Sequence, residues 1–183
     1  MHEEGAPPAV SLRPGEPGDA LCLSVLAMQV FLDTYATHGI RPAIAREALS
    51  ANSKSRFAKA LEDPATRIHV AESDGHLAGF AQIKLGAQHE LAPAGKQSEL
   101  LRLYIQQPFA GRRVGTLLLE KAELLAAEFG STVIWLTAWV HNHHALQFYA
   151  RRGYLDHGLD WFRFGGESHA NRLYAKVLLM NRG

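Results

Sequence analysis

Glu99-Leu100-Leu101-Arg102-Leu103-Tyr104-Ile105-Gln106-Gln107-Pro108-Phe109-Ala110-Gly111-Arg112-Arg113-Val114-Gly115-Thr116 is the stretch on which the fold turns. Ser98 to Ile105 reads as a strand and Gln106 to Gly111 as a turn. A helix follows, with Val114, Leu117, Leu118, Ala122, Leu125 and Phe129 on one face and Gly130 just past its end. A helix that starts directly after a strand leaves its first backbone N–H groups without carbonyl partners, and the positive end of its dipole lies there too. Gly111 and Gly115 would let an anion approach that backbone with no Cβ in the way, so a phosphorylated ligand is one guest for the turn. The plain alternative is that any tight strand-to-helix turn favours glycine. No Gly-Lys-Ser/Thr follows, so the turn is not a P-loop, and Gly-x-Gly-x-x-Gly is absent, so it is not a dinucleotide fingerprint.

Downstream, Thr132 to Val140 is a nearly unbroken apolar run, as in a strand buried on both faces. Asn142 is placed to cap a short helix that stops at Gly153, and Tyr154 to Phe164 and Asn171 to Leu179 read as two closing strands joined through Gly165-Gly166. Upstream, residues 1–7 look frayed and Ala9 to Arg13 alternates like a short strand. Asp19 is placed to cap a helix with Leu21, Val25, Met28, Leu32 and Tyr35 at helical spacing, ending at Gly39. Pro42 to Leu61 suggests a second helix, and Arg67 to Glu72 and His76 to Leu85 flank Ser73-Asp74-Gly75 as an antiparallel hairpin. The order of elements predicts an α/β fold of the mixed α+β kind, in one domain spanning residues 1–183.

The whole chain narrows the function further. Its 183 residues match one domain at roughly 100 to 200 residues each. With 19 Lys and Arg against 18 Asp and Glu there is no net basic field of the kind that holds nucleic acid. Cys22 is the single cysteine, which rules out an internal disulfide and a Cys-based zinc cage and fits a reducing, cytoplasmic setting. It also lies in an expected buried helix, which argues against a covalent acyl-enzyme on its thiol. The acidic N-terminus and the broken apolar stretch from Ala20 to Phe31 support neither a signal peptide nor a membrane span. His141, His143 and His144 are dense, but their rings would diverge at a helix start and no nearby acid or Cys completes a tetrahedral set, so no metal is expected.

Asn142-His143-His144-Ala145-Leu146-Gln147-Phe148-Tyr149-Ala150-Arg151-Arg152-Gly153-Tyr154 resembles the GNAT superfamily of N-acetyltransferases. That family carries an Asn-x-x-Ala-x-x-x-Tyr-x-x-x-Gly-Phe/Tyr signature, met here by Asn142, Ala145, Tyr149, Gly153 and Tyr154. Its earlier turn, Gln/Arg-x-x-Gly-x-Gly/Ala, is matched in part: Gly115 fits, but Ala110 stands where Gln or Arg is usual and Arg113 where the first Gly is usual.

The resemblance implies a central, mostly antiparallel sheet of about seven strands with helices on both faces. The strand ending at Ile105 would splay from the strand Thr132 to Val140. Acetyl-CoA would lie there as co-substrate, its pantetheine arm against Leu103, Tyr104 and Ile105 and its pyrophosphate on Gly111, Arg112, Arg113, Val114, Gly115 and Thr116, with Asn142 beside the arm. Glu99 would be the general base, although a solvated strand-edge acid is its plain reading, and Tyr149 the general acid. Phe31, Asp33, Tyr35 and Trp139 are candidate acceptor contacts. The pattern through Arg102, Tyr104, Trp139, His141 and Asn142 looks most like members that act on small-molecule or polyamine amines. A protein or peptide amine is one alternative, and a non-catalytic acyl-CoA sensor is a second. Homodimers are common in families of this kind.

Overall fold

The computed structural model describes residues 9–178. The expectation of a frayed segment at 1–7 and the last residue of the expected strand ending at Leu179 lie outside them. Seven strands are formed: β1 (Val10–Pro14), β2 (Thr66–Ser73), β3 (His76–Leu85), β4 (Gln97–Ile105), β5 (Val133–Trp139), β6 (Leu155–Phe164) and β7 (Glu167–Val177). The helices are α1 (Ala20–Tyr35), α2 (Pro42–Ala51), α3 (Lys54–Glu62), α4 (Val114–Glu128) and α5 (His143–Ala150). The strands make one sheet in the order β1-β2-β3-β4-β5-β7-β6. Every neighbouring pair is antiparallel except β4 with β5. The mixed α/β class expected from the order of elements and the mostly antiparallel sheet implied by the resemblance are what the structure has.

The two faces of the sheet are covered by different helices. On one face α4 buries Val114, Leu118, Leu119, Ala122 and Ala126 against Ile83, Leu100, Ile134 and Leu136, and Tyr149 and Tyr154 close this core. On the other, α1 and α3 bury Leu23, Leu26, Ala27 and Phe57 against Ile68, Val70 and Phe80. Phe31 packs with Ile44 and Ala48, which seats α2 on the end of α1. The β2–β3 hairpin turns through Asp74 and Gly75, both in the left-handed region at φ 50° and 75°, as the Asp-Gly pair suggested.

The parallel pair of β4 and β5 is short. Its rungs are Gln97 with Val133, Ser98 with Ile134 and Glu99 with Trp135, and the strands part beyond them. On its other side β4 stays paired with β3 as far as Ile105, but the register shifts where Gln82 faces Arg102 and Ile83 faces Leu100, leaving Leu101 as an extra residue. A bulge bends and twists its strand, and this one begins just past the last rung with β5. That is the physical origin of the splay, and it explains why β5 is buried from Val133 to Leu136 but only half-buried from Thr137 to Trp139, against the expected strand buried on both faces throughout.

Several local expectations are corrected. The face of α1 that carries Leu21 and Val25 points to solvent, at 56% and 60% exposure, while Ala20, Leu23, Leu26, Ala27 and Phe31 are buried. Apolar side chains occur all round this helix, so spacing alone selected the wrong stripe. The helix ends at Tyr35, short of Gly39. Cys22, on the outer face, is exposed. Asp19 does not cap α1 with its side chain; its carboxylate accepts from both Arg13 Nη atoms at 2.8 and 2.9 Å and from Glu16 N at 2.7 Å. Pro42 to Leu61 is two helices, separated at Asn52-Ser53, where Ser53 Oγ accepts from Arg56 N and starts α3. Of the expected apolar face of α4, Leu117 and the C-cap Phe129 are exposed, and Leu119 and Ala126 take their places in the core.

Candidate active site

A cleft of about 680 Å³ opens where β4 and β5 part. One wall is Leu103 and Ile105 of β4, the opposite wall is α5 with Asn142, Phe148 and Tyr149, and the floor is the turn from Gly111 into α4. The C-terminal half of α1 reaches its rim through Val30, Asp33 and Thr34.

The start of α4 is built as an anion cradle. The bond that closes its first turn runs from Leu117 N to Arg113 O at 3.0 Å, so the amides of Val114, Gly115 and Thr116 have no backbone acceptor among the described residues. Gly111 is at φ 76° with open space where a Cβ would stand, whereas a Cβ on Gly115 would come within 3.3 Å of Ile105 Cδ1 and 3.4 Å of the Phe148 ring. Arg113 is the N-cap and sits in the left-handed region at φ 63°, which a residue with a Cβ adopts at a cost of about 1–2 kcal/mol. Arg113 also lines the cleft.

Arg152, which the sequence did not single out, joins the two sides of the site. Its Nη2 donates to Thr116 Oγ1 and its Nη1 to Phe148 O at 3.1 Å, and the guanidinium lies 3.6 Å from the centre of the Phe148 ring. Its Nε is buried with no partner. Arg113, Arg151 and Arg152 thus give the cleft three cations. The only available signal for Arg152 was its spacing, four residues after Phe148 and just past the end of α5.

Asn142 caps α5, its Oδ1 accepting from Ala145 N at 3.2 Å, and it also lines the cleft. Tyr149 reaches the cleft from α5 with its ring packed on Phe148 and Tyr154, at 5.2 and 5.5 Å between centroids. Burial pushes its phenol above the ordinary tyrosine range, with Tyr104 adding to the shift.

Of the other expected site residues, Val114 is in the core and Arg112 lies over the Phe109 ring at 5.5 Å. Tyr104 turns its ring to the α1 side of the sheet, against Phe80. Tyr35 stacks between Phe31 at 4.8 Å and Trp139 at 5.3 Å, and His141 continues the stack on Trp139 at 4.9 Å. Asp33 is exposed at the rim.

Glu99 does not line the main cleft. It stands at the last β4–β5 rung, and because its neighbour Leu100 belongs to the core under α4, strand alternation turns Glu99 to the α1 side. It is half-buried and forms no hydrogen bond or ion pair with the described residues. Burial pushes its carboxyl up to about 7; Arg102 pulls the other way, and Asp160 adds a like charge that raises it. Asp160 itself faces His89 Nε2 at 3.5 Å, with the His89 ring packed on Trp135.

The acetyltransferase (GNAT) family profile matches residues 33–154. An uncharacterized N-acetyltransferase of Mycobacterium bovis is 33% identical over 143 residues, covering 75% of this chain and 87% of that protein. The aminoalkylphosphonate N-acetyltransferase of Salmonella typhimurium is 32% identical over 98 residues, covering 54% of this chain and 62% of that protein. The crystal structure of an N-acetyltransferase from Thermoplasma acidophilum in complex with coenzyme A has the same fold, with a TM-score of 0.75 at 21% identity over 92% of this chain and 99% of that one. With the profile match, the splayed strands and the anion cradle in agreement, the chain belongs to the acetyltransferase (GNAT) family and is an acetyl-CoA-dependent acyltransferase.

Proposed function

We propose that the chain transfers the acetyl group of acetyl-CoA to the primary amine of a small molecule, by direct attack within a ternary complex. One observation carries this: the cleft that opens beyond the Glu99–Trp135 rung holds a buried phenol and ends in an anion cradle, and the Glu99 carboxyl, pushed up to about 7 by burial, stands at that rung on the α1 side of the sheet. The residues suit the co-substrate. The free amides of 114–116, Gly111 and the cleft arginines match a pyrophosphate, and the exposed backbone edge of Leu103 to Ile105 matches an amide-bearing arm that adds to a sheet edge.

Each residue then has a defined task. Glu99 takes a proton from the ammonium of the acceptor, directly or through water, and frees the nitrogen lone pair. That nitrogen attacks the thioester carbonyl carbon while a backbone amide at the splay, from Leu103, holds the oxygen as charge builds there. The carbon–sulfur bond breaks, Tyr149 gives its phenolic proton to the sulfur, and the phenolate recovers the second nitrogen proton. Glu99 returns its own proton to solvent, so the products are one amide, one thiol and one proton.

Arg113→Gly separates two effects of the same side chain. Relief of the left-handed backbone raises stability by about 1 kcal/mol, read as a higher denaturation midpoint. Loss of the cleft cation weakens acetyl-CoA several-fold, read by calorimetry. An unchanged or improved affinity would contradict a phosphate contact by Arg113.

The function is tested by following free thiol from acetyl-CoA with a panel of small primary amines, a polyamine and a peptide amine. Thiol release that depends on a small amine is the expected result, and the name of the aminoalkylphosphonate relative supports this class of acceptor. Turnover of the peptide alone would move the acceptor to protein, and tight coenzyme A binding with no amine-dependent release would make the chain a sensor.

A further inference from the structure

A further cavity, about 550 Å³, lies between α3 and strands β3 and β4, beside the β4 bulge. Arg56, Lys59 and Arg102 line it together with Phe57 and Gln82, and no carboxylate does. Arg102 is half-buried and fixed: Nη1 donates to Gln82 Oε1 at 2.7 Å, Nη2 donates to Ala51 O at 3.0 Å, and its guanidinium lies 5.4 Å from the centre of the Phe57 ring. With a further hydrogen bond to the Tyr104 side chain, those bonds engage three of the five N–H donors of a guanidinium. None of the three cations is in an ion pair with a described residue. A positioned, half-buried arginine outside any ion pair with a described residue, flanked by two further cations at a cavity wall, suits an oxyanion.

The position of this cavity relative to the candidate base gives it meaning. Leu100 and Leu103 belong to the core under α4, and the bulge at Leu101 brings Glu99 and Arg102 onto the same, opposite face of β4. Their backbones are roughly 10 Å apart at the rise of a strand, a span that a short amino acid or aminoalkyl phosphonate bridges once both side chains lean toward it. Asp160 adds negative charge on the Glu99 side, so the face is acidic at one end and basic at the other.

We propose that the acceptor carries an anionic group, a carboxylate, phosphonate or phosphate, seated between Arg102, Arg56 and Lys59 with its amino group directed to Glu99. This rests on the small-molecule acetyltransferase function above and narrows it. A zwitterionic acceptor matches both ends of the face, whereas a polyamine places a second cation against three others and is disfavoured.

The test compares propylamine, β-alanine, 2-aminoethylphosphonate and putrescine as acceptors for the full chain, by thiol release. The expected result is a kcat/KM for β-alanine or the phosphonate at least about tenfold above propylamine, with putrescine lowest. The preference should shrink with added salt and fall at least about fivefold in the surface double variant Arg56→Ala/Lys59→Ala, mainly through KM. Arg102→Gln should lower it further, and the double variant keeps the test open if Arg102→Gln does not fold. The better of the two anions identifies the oxyanion. Equal or better use of propylamine or putrescine, or a preference unchanged in the double variant, overturns the inference and leaves the acetyltransferase function standing. Calorimetric titration of β-alanine into the protein–coenzyme A complex distinguishes the converse case: binding lost in the double variant, with no amine turned over, supports the anion site and overturns the acceptor chemistry.

Discussion

Glu99→Gln is expected to lower kcat/KM at pH 8 by about 10²-fold or more, within the usual range for loss of a general base. The side chain is half-buried, and burial pushes its carboxyl up to about 7, so at pH 8 it is mostly ionised and able to take a proton. Below pH 7 it becomes protonated, and a protonated carboxyl is as inert a base as the amide of glutamine. The ratio of wild type to Glu99→Gln therefore shrinks about tenfold per pH unit below 7, and using the ratio removes the ionisation of the amine substrate from the comparison. A ratio independent of pH would show that Glu99 is not the titrating base.

The same shift affects stability. The folded pKa lies above that of the unfolded chain, so the contribution is fully present below the unfolded value near 4.5 and is lost as pH rises through about 7. Glu99→Gln should therefore melt at a higher temperature than wild type above pH 7, with the difference vanishing toward pH 4.5. A residue that lowers activity and raises stability on replacement is held in place for chemistry.

Tyr149→Phe is the second large effect, a fall in kcat of about 10²-fold with acetyl-CoA affinity nearly unchanged. The ring is 8% exposed and packs edge-on against Phe148 and Tyr154; phenylalanine keeps those contacts, so the fold is preserved. Burial keeps the phenol protonated through neutral pH, the state needed to protonate a departing thiolate. The profile of wild-type kcat should show no loss from this group up to pH 9. An unchanged kcat in Tyr149→Phe, measured by single turnover so that product release does not mask chemistry, would remove the assignment.

What could be read from the sequence was local. The Asn142 cap, the α5 stop before Gly153 and the start of α4 at Val114 each follow from residues within one or two turns of each other, and the structure has all three in place, although only part of the expected apolar face of α4 is buried. The splay was available only through the resemblance, because its cause, a single extra residue at Leu101, is invisible in a strand that still alternates plausibly. Asp160 could not be associated with Glu99, since β7 inserts between β5 and β6 in the sheet and sequence order gives no hint of it. The left-handed Arg113 ran against propensity, although glycine at that place in the family turn pointed to the backbone requirement. On α1, Leu21 and Val25 misled because the helix is apolar on more than one face, and the choice between faces is made by the sheet and not by the helix.

That misplacement bears on the mechanism. With Cys22 exposed, burial no longer argues against a covalent acetyl-thiol intermediate; what argues against it is that Cys22 lies outside the residues lining the cleft. The decisive measurement is initial velocity against both substrates, for wild type and Cys22→Ser, with mass spectrometry of the protein after acetyl-CoA alone. Direct attack in a ternary complex predicts intersecting double-reciprocal lines, full turnover in Cys22→Ser and no stoichiometric 42 Da adduct, the mass of one acetyl group on the order of 42 Da. Parallel lines with an acetylated protein that passes its acetyl group to the amine would contradict it.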